Sequence, residues 1–263
     1  MKILKFLYHM EIRFDMPVKD HHFTLKCIPH SGQGQIVESM NFQVYPNRYI
    51  SRSRDSFSNE CIYGFCEEEH DHFIVDVEGV VRTGMERWED ARRDPPKSIL
   101  KYQTDQTRPG EALRAYHDQL EKEATARDTA VSCMHRLYRD LTYESGATRI
   151  GTSAEEALQM KRGVCQDYTH ILLGLLRMDG IPCRYVTGML EGEGLSHAWA
   201  EAYTEDGWIA LDPTNDVAVT DGHISISRGC DYRDCMLNQG IFTGCNGKAV
   251  QHQTIQVEVK EIG

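Results

Sequence analysis

The stretch Cys165-Gln166-Asp167-Tyr168-Thr169-His170-Ile171-Leu172-Leu173-Gly174-Leu175-Leu176-Arg177-Met178 constrains this chain more than any other. Tyr168, Ile171, Leu172, Leu173, Leu175, Leu176 and Met178 leave a helix here with almost no polar side, so it must be buried nearly all round. Gly180 and Pro182 stop it. Gly163, two residues before Cys165, permits a tight approach to its first turn and leaves room for a substrate backbone. Other elements have to wrap around such a helix.

What surrounds it can be read from the period of the apolar residues. After Gly110, Leu113, Tyr116 and Leu120 share one helical face, and Ala130, Cys133, Met134, Leu137 and Leu141 form a second stripe at three- and four-residue spacing. Thr152 with Glu155 suggests a capping box for a short helix through about Met160. Beyond Pro182 the period becomes that of strands, at Cys183 to Met189, Ser196 to Thr204 and Trp208 to Leu211, with a closing strand from Val250 to Val259. Helices first and strands afterwards indicate α+β rather than alternating α/β.

The first 84 residues read differently. Lys5 to Phe14, His22 to Ile28, Gln35 to Tyr45 and Phe73 to Val81 are strand-like runs separated by Gly, Asn, Pro and Asp clusters, as in an antiparallel all-β domain. Residues 85–109, with Arg92-Arg93-Asp94-Pro95-Pro96-Lys97 and Thr107-Arg108-Pro109-Gly110, read as a linker. The expected organisation is an N-terminal antiparallel β domain over 1–84, the linker over 85–109 and an α+β domain over 110–263.

Composition removes several function classes. A net charge of -11 argues against nucleic acid, which needs a basic face, and against an anionic membrane surface. The apolar start is too short and too interrupted, by His9 and Glu11, for a signal peptide, and no stretch has transmembrane length. Nine cysteines at irregular spacings, such as Cys61-x4-Cys66 and Cys230-x4-Cys235, suit buried free thiols in a reducing cytoplasm better than a zinc site. No EF-hand loop and no nucleotide-binding glycine loop is present. No metal and no cofactor is expected.

The chemistry-bearing residues come in the order Cys165, His197, Asp212. Cys165 falls in the first turn of its helix, where unpaired N–H groups favour a thiolate and can hold an oxyanion. In Ser196-His197-Ala198-Trp199-Ala200-Glu201, strand alternation puts His197, Trp199 and Glu201 on one face and small alanines on the other, which suits a closely packed helix. Asp212 ends the next strand before Pro213 and is placed to fix an imidazole tautomer. Each has an ordinary alternative: core thiol, half-buried strand histidine, Asp-Pro turn. Their order and element types together make a nucleophile, base and orienting acid. His223 is the rival base, in a turn leading into a strand. His170, five residues after Cys165, is poorly placed to reach it.

Three segments, Gly163-Val164-Cys165-Gln166-Asp167-Tyr168-Thr169-His170, Ser196-His197-Ala198-Trp199-Ala200-Glu201 and Leu211-Asp212-Pro213-Thr214-Asn215, resemble the transglutaminase-like superfamily, in its bacterial branch with an N-terminal β domain. The tail Asp231-Tyr232-Arg233-Asp234 with Gly240 and Gly244 resembles that branch too. The resemblance implies a papain-like transglutaminase core behind an all-β domain, with Cys165 as nucleophile, His197 as base and acid, and Asp212 as orienter, acting on peptide or protein amides through a thioester. Gln159 is the candidate oxyanion donor, six residues before Cys165. Trp199 is expected to shield the His–Asp hydrogen bond or pack beneath it. Cys230 and Cys235 depart from the tail pattern, as packing changes or as a second thiol near the site.

Three functions stay open. The branch is described in terms of cysteine proteases, which makes a thiol peptidase or amidase the leading expectation. A transglutaminase joining glutamine side chains to amines would use the same residues. A non-catalytic binding protein need not keep all three.

Overall fold

Residues 1–32, 34–85, 95–121, 123–244 and 249–263 are described in a computed structural model of the chain. The expected linker residues Arg92, Arg93 and Asp94 lie outside them, as does Cys245.

Alternation organises the first half. Along β1 (Lys2–Leu25), Leu4, Phe6, Tyr8, Met10, Ile12 and Phe14 are buried in turn, as a two-residue period requires. Pro17 cannot donate to a ladder, and the β1 register slips between Arg13 and Val18. The two short runs expected there are one bent strand. β2 (Ile36–Tyr45) and β5 (His70–Thr83) match the expected strands. β3 (Tyr49–Arg54) and β4 (Glu60–Cys66) were not expected. Ser51, Arg52, Ser53 and Arg54 give β3 no apolar face to announce it, and its other neighbour in β4 is Gly64, where an added Cβ would stand 2.4 Å from the Phe23 ring.

The middle of the chain is helical: α1 (Glu111–His117), α2 (Ala126–Asp140), the two-residue β6 (Thr142–Tyr143), α3 (Ala154–Met160), the two-residue β7 (Arg162–Gly163) and α4 (Cys165–Met178). The cap of α3 is Ser153 with Glu156, one residue later than the expected Thr152 and Glu155. Glu155 serves the neighbouring helix instead: its carboxylate accepts from the N–H groups of Gly110, Ala112 and Leu113 at 3.0, 2.8 and 2.9 Å, capping α1 from outside. Then follow β8 (Cys183–Leu190), β9 (Gly192–Gly194), β10 (His197–Thr204), β11 (Gly207–Asp212), β12 (Val217–Ala218), β13 (His223–Gly229), β14 (Asn238–Thr243) and β15 (Gln251–Glu261).

The strands form two large sheets. One runs β12-β11-β10-β8-β13, all antiparallel, with α4 packed on β10 and β8. Ala198, Ala200 and Ala202 of β10 lie in the same core as Ile171, Leu172, Leu175 and Leu176 of α4, as the alternation indicated. The other runs β2-β5-β1-β15-β9, with β4 and β14 pairing the far half of β1. The fold is therefore α+β, an all-β unit beside a helix-on-sheet unit. Removing one fully buried leucine of α4, such as Leu172, should cost about 2–5 kcal/mol.

The boundaries drawn at 84, 109 and 263 need two corrections. β14 and β15 complete the N-terminal sheet, so residues 238–261 do not belong to the helix-on-sheet unit. Met189, Ile224, Ile226 and Leu237 fill the N-terminal core as well. The described part of the linker is packed rather than extended: Leu100 and Thr107 are fully buried. Arg177 of α4 binds this segment, donating to the Leu100 carbonyl and the Thr107 hydroxyl. It also donates to the carbonyls of Cys183 and Cys230, so one buried guanidinium ties three segments to the end of α4.

Candidate active site

The start of α4 is built around Asp167. Its carboxylate accepts the Val164 N–H at 2.8 Å and the Thr148 hydroxyl at 2.6 Å, which fixes the turn that presents Cys165. Burial pushes the Asp167 carboxyl above its ordinary range. Asp167 thus shapes the start of α4. Gly163 is buried beneath Asp167. A Cβ there would lie 2.5 Å from the Asp167 carboxylate. Cys165 itself is partly exposed.

His197 opens β10 and Asp212 closes β11. Their side chains meet at 2.7 Å between Nε2 and Oδ2. This contact commits Nε2 to the acid and leaves Nδ1 for another partner. Burial alone would lower the imidazole's pKa. The hydrogen bond to Asp212 outweighs it, with the nearby Cys165 acting in the same direction, and raises His197 to about 10. Burial would likewise raise Asp212, but hydrogen bonds from His197, His223 and Asn215 hold its carboxyl well below the usual range. Asp212 is fully buried and takes further bonds from the Thr214 N–H at 3.0 Å and from Asn215 Nδ2 at 2.7 Å. The tight turn after Asp212 thus wraps the carboxylate in donors.

His223 is placed by the structure at the same acid, with Nε2 3.4 Å from Asp212 Oδ2. The Thr220 N–H donates to its Nδ1 at 3.3 Å, which leaves Nε2 as the nitrogen that donates to Asp212. The rival base is a supporter of the acid. The signal for it was faint: a histidine eleven residues after Asp212, in a strand that β8 and not β11 pairs. His197, Asp212 and His223 are also the one group among the described residues with three potential ligand atoms within 4.8 Å of one another. His197 and His223 are each hydrogen-bonded to Asp212.

Trp199 is 1% exposed and lies beneath the histidines, its ring 5.3 Å from His223 edge-on and 6.3 Å from His197. It packs against both rings. Gln159 does not reach the site: it is exposed on α3 and its amide donates to Glu155 at 3.0 Å. The oxyanion role foreseen for it has no support in this geometry. His170 is fully buried, its Nε2 accepting the Tyr232 N–H at 3.2 Å. Burial lowers its pKa to about 4, so it is a neutral peg that pins the 3-10 turn Tyr232–Cys235 to α4. Cys235 is core. The Cys230 N–H is held by Asp234, and its carbonyl by Arg177.

The comparisons agree with this architecture. Residues 114–213 match the transglutaminase-like superfamily core, and residues 4–82 match the bacterial transglutaminase-like N-terminal region. An uncharacterized protein of Mycobacterium leprae is 39% identical over 142 residues, half of each chain, so this chain spans about half the length of that relative. An uncharacterized protein of Mycobacterium tuberculosis is 32% identical over 224 residues, covering 73% of this chain and 71% of the relative. A crystal structure from Cytophaga hutchinsonii, described as a "Putative Cysteine Protease", superposes with a TM-score of 0.80 over 100% of this chain and 92% of that one, at 19% identity. That likeness speaks to the fold. The chain belongs to the transglutaminase-like superfamily.

Proposed function

We propose that this chain is a thiol-dependent amide acyl-transfer enzyme whose acceptor is water, a peptidase or amidase. Cys165 attacks the carbonyl carbon of a peptide or isopeptide amide. His197 gives its proton to the leaving amine, which departs and leaves a thioester on Cys165. His197 then takes a proton from water, which attacks the thioester, frees the carboxylic acid and returns the thiol. Asp212 orients His197. The N–H groups of the first turn of α4 are the donors for the oxyanion.

The observation that carries this reading is the 2.7 Å bond between His197 and Asp212, on a histidine whose pKa is raised by Asp212 and by the nearby Cys165. An imidazole kept protonated beside a thiol is what an ion-paired nucleophile needs. The assay is set in a reducing medium, because the eight described cysteines are all free, which favours the cytoplasm. No helix among the described residues is long and apolar enough to cross a membrane.

The test is turnover of a mixed peptide and isopeptide amide set by wild type, Cys165→Ala and His197→Ala, with and without a labelled primary amine. Loss of turnover in both variants is expected, with product acid in excess over amine adduct. Full turnover after alkylation of Cys165 would sink the mechanism. Adduct in place of acid would make the chain a transamidase.

A further inference from the structure

A cleft of about 700 Å³ lies against the C-terminal strands, next to residues that flank the site. Ser196, the neighbour of His197, lines one end, together with Ile150, whose carbonyl accepts from Gln166 beside Cys165 at 3.0 Å. The other end is β15. The face of β15 that buries Val257 and Val259 continues outward as Ile255, Gln253 and Gln251, and these three line the cleft. β9 covers the outer edge of β15 only at Val257–Val259. Among the described residues, no strand lies along that edge from Gln251 to Gln256.

The chemistry of the lining is unlike that of the chain. One residue in four of the sequence is charged, 26%, and the net charge is -11. The described lining has no Asp, Glu, Lys or Arg. Its one histidine, His21, is held neutral by burial, which lowers it to about 4. Asparagine and glutamine side chains and apolar groups make up most of the rest. Two polar atoms in it are buried without a partner: the Thr187 hydroxyl, on a residue 3% exposed, and Asn238 Oδ1. Buried groups of this kind are normally satisfied.

We propose that this cleft binds an extended peptide segment with uncharged side chains, laid along β15 with its reacting amide at Cys165. The assignment rests on the acyl-transfer reading given above. A charged side chain entering the cleft would lose hydration and find no counter-charge. A backbone or side-chain amide would satisfy Thr187 and Asn238, and the open edge of β15 offers main-chain partners to an added strand.

Binding is measured with Cys165→Ala, which retains ligand without turnover, using dye-labelled decapeptide pools. One pool is built from Ser, Thr, Asn, Gln and Leu; in the others half the positions are Asp and Glu, or Lys and Arg. The neutral pool is expected to bind at least about tenfold more tightly than either charged pool. Gln253→Lys in that background, an exposed strand position, should raise affinity for the acidic pool alone. Equal or tighter binding of a charged pool by Cys165→Ala, no binding of any pool at millimolar peptide, or no response to Gln253→Lys overturns the proposal. Neutral-pool binding beside a wild-type Cys165 that turns over no amide supports the cleft and overturns the acyl-transfer reading instead.

Discussion

Asp212 reaches His197 from one residue past the last β10–β11 pair, Ala200 with Leu211, and binds its Nε2 at 2.7 Å. The two side chains stabilise each other's charged forms, with opposite pH signs. His197 is raised from its ordinary value near 6.5 to about 10, so its contribution is complete below the ordinary value and is lost as pH rises towards 10. Asp212 is lowered, so its contribution is present above the ordinary carboxylate value and is lost as pH falls below it. The stability gap between wild type and His197→Ala, read by urea unfolding, should narrow between pH 7 and pH 10. A gap that stays constant would mean that the imidazolium is not what the fold stabilises.

Asp212→Asn keeps the shape and removes the charge. Amide turnover should fall by about 10²–10⁴-fold, as expected when a general base loses its orienting and charge-stabilising partner. The rate of Cys165 alkylation by iodoacetamide at neutral pH should fall. An unchanged rate would remove Asp212 from the role of orienter.

His223 gives a graded comparison. His223→Gln loses one hydrogen bond to a charged group, worth about 1.5 kcal/mol, or roughly tenfold in rate. His197→Ala should abolish turnover altogether. Were His223→Gln the inactive variant and His197→Ala the weakened one, the two histidines would have to exchange roles.

Native-state alkylation should rank the thiols by exposure. Of the eight described cysteines only Cys165 and Cys230 are partly exposed. Peptide mass after brief iodoacetamide treatment should show Cys165 first, Cys230 slowly, and Cys27, Cys61, Cys66, Cys133, Cys183 and Cys235 only on unfolding. Early labelling of Cys235 would contradict its place in the core.

Glu155→Ala leaves the N–H groups of Gly110, Ala112 and Leu113 without their carboxylate. The loss should be about 1–3 kcal/mol by denaturant titration, with little change in Cys165 reactivity because α1 does not carry the site. A variant as stable as wild type would mean that water caps α1 equally well.

Much of this was legible in the sequence because it depends on periods and local order. The apolar span of α4 and the alanine face of β10 are short-range patterns, and His197 and Asp212 meet at the ends of neighbouring strands. What escaped depends on residues far apart in the chain. Gln159, six residues before Cys165, is an expected oxyanion donor by resemblance, yet Glu155 on its own helix takes the amide. His223 acts through Asp212 only because β13 folds back beside β8. Residues 95–109 look like a linker by composition, but a single buried arginine on α4 binds them down. β15 reads as a strand from its sequence, and nothing in that sequence says that its partner is β1.

That partnership has a kinetic meaning. Leu4 pairs with Glu261 and Phe14 with Gln251, contacts that span nearly the whole chain. During synthesis β1 emerges first and must wait, with one edge open and alternate residues apolar, until residues 251–261 have followed. Such long-range pairing makes folding slow and leaves an exposed edge that can pair wrongly in the meantime. A nascent chain stopped before residue 238 lacks both β14 and β15 and should be captured by chaperones or aggregate, even though every residue of the candidate site has already been made.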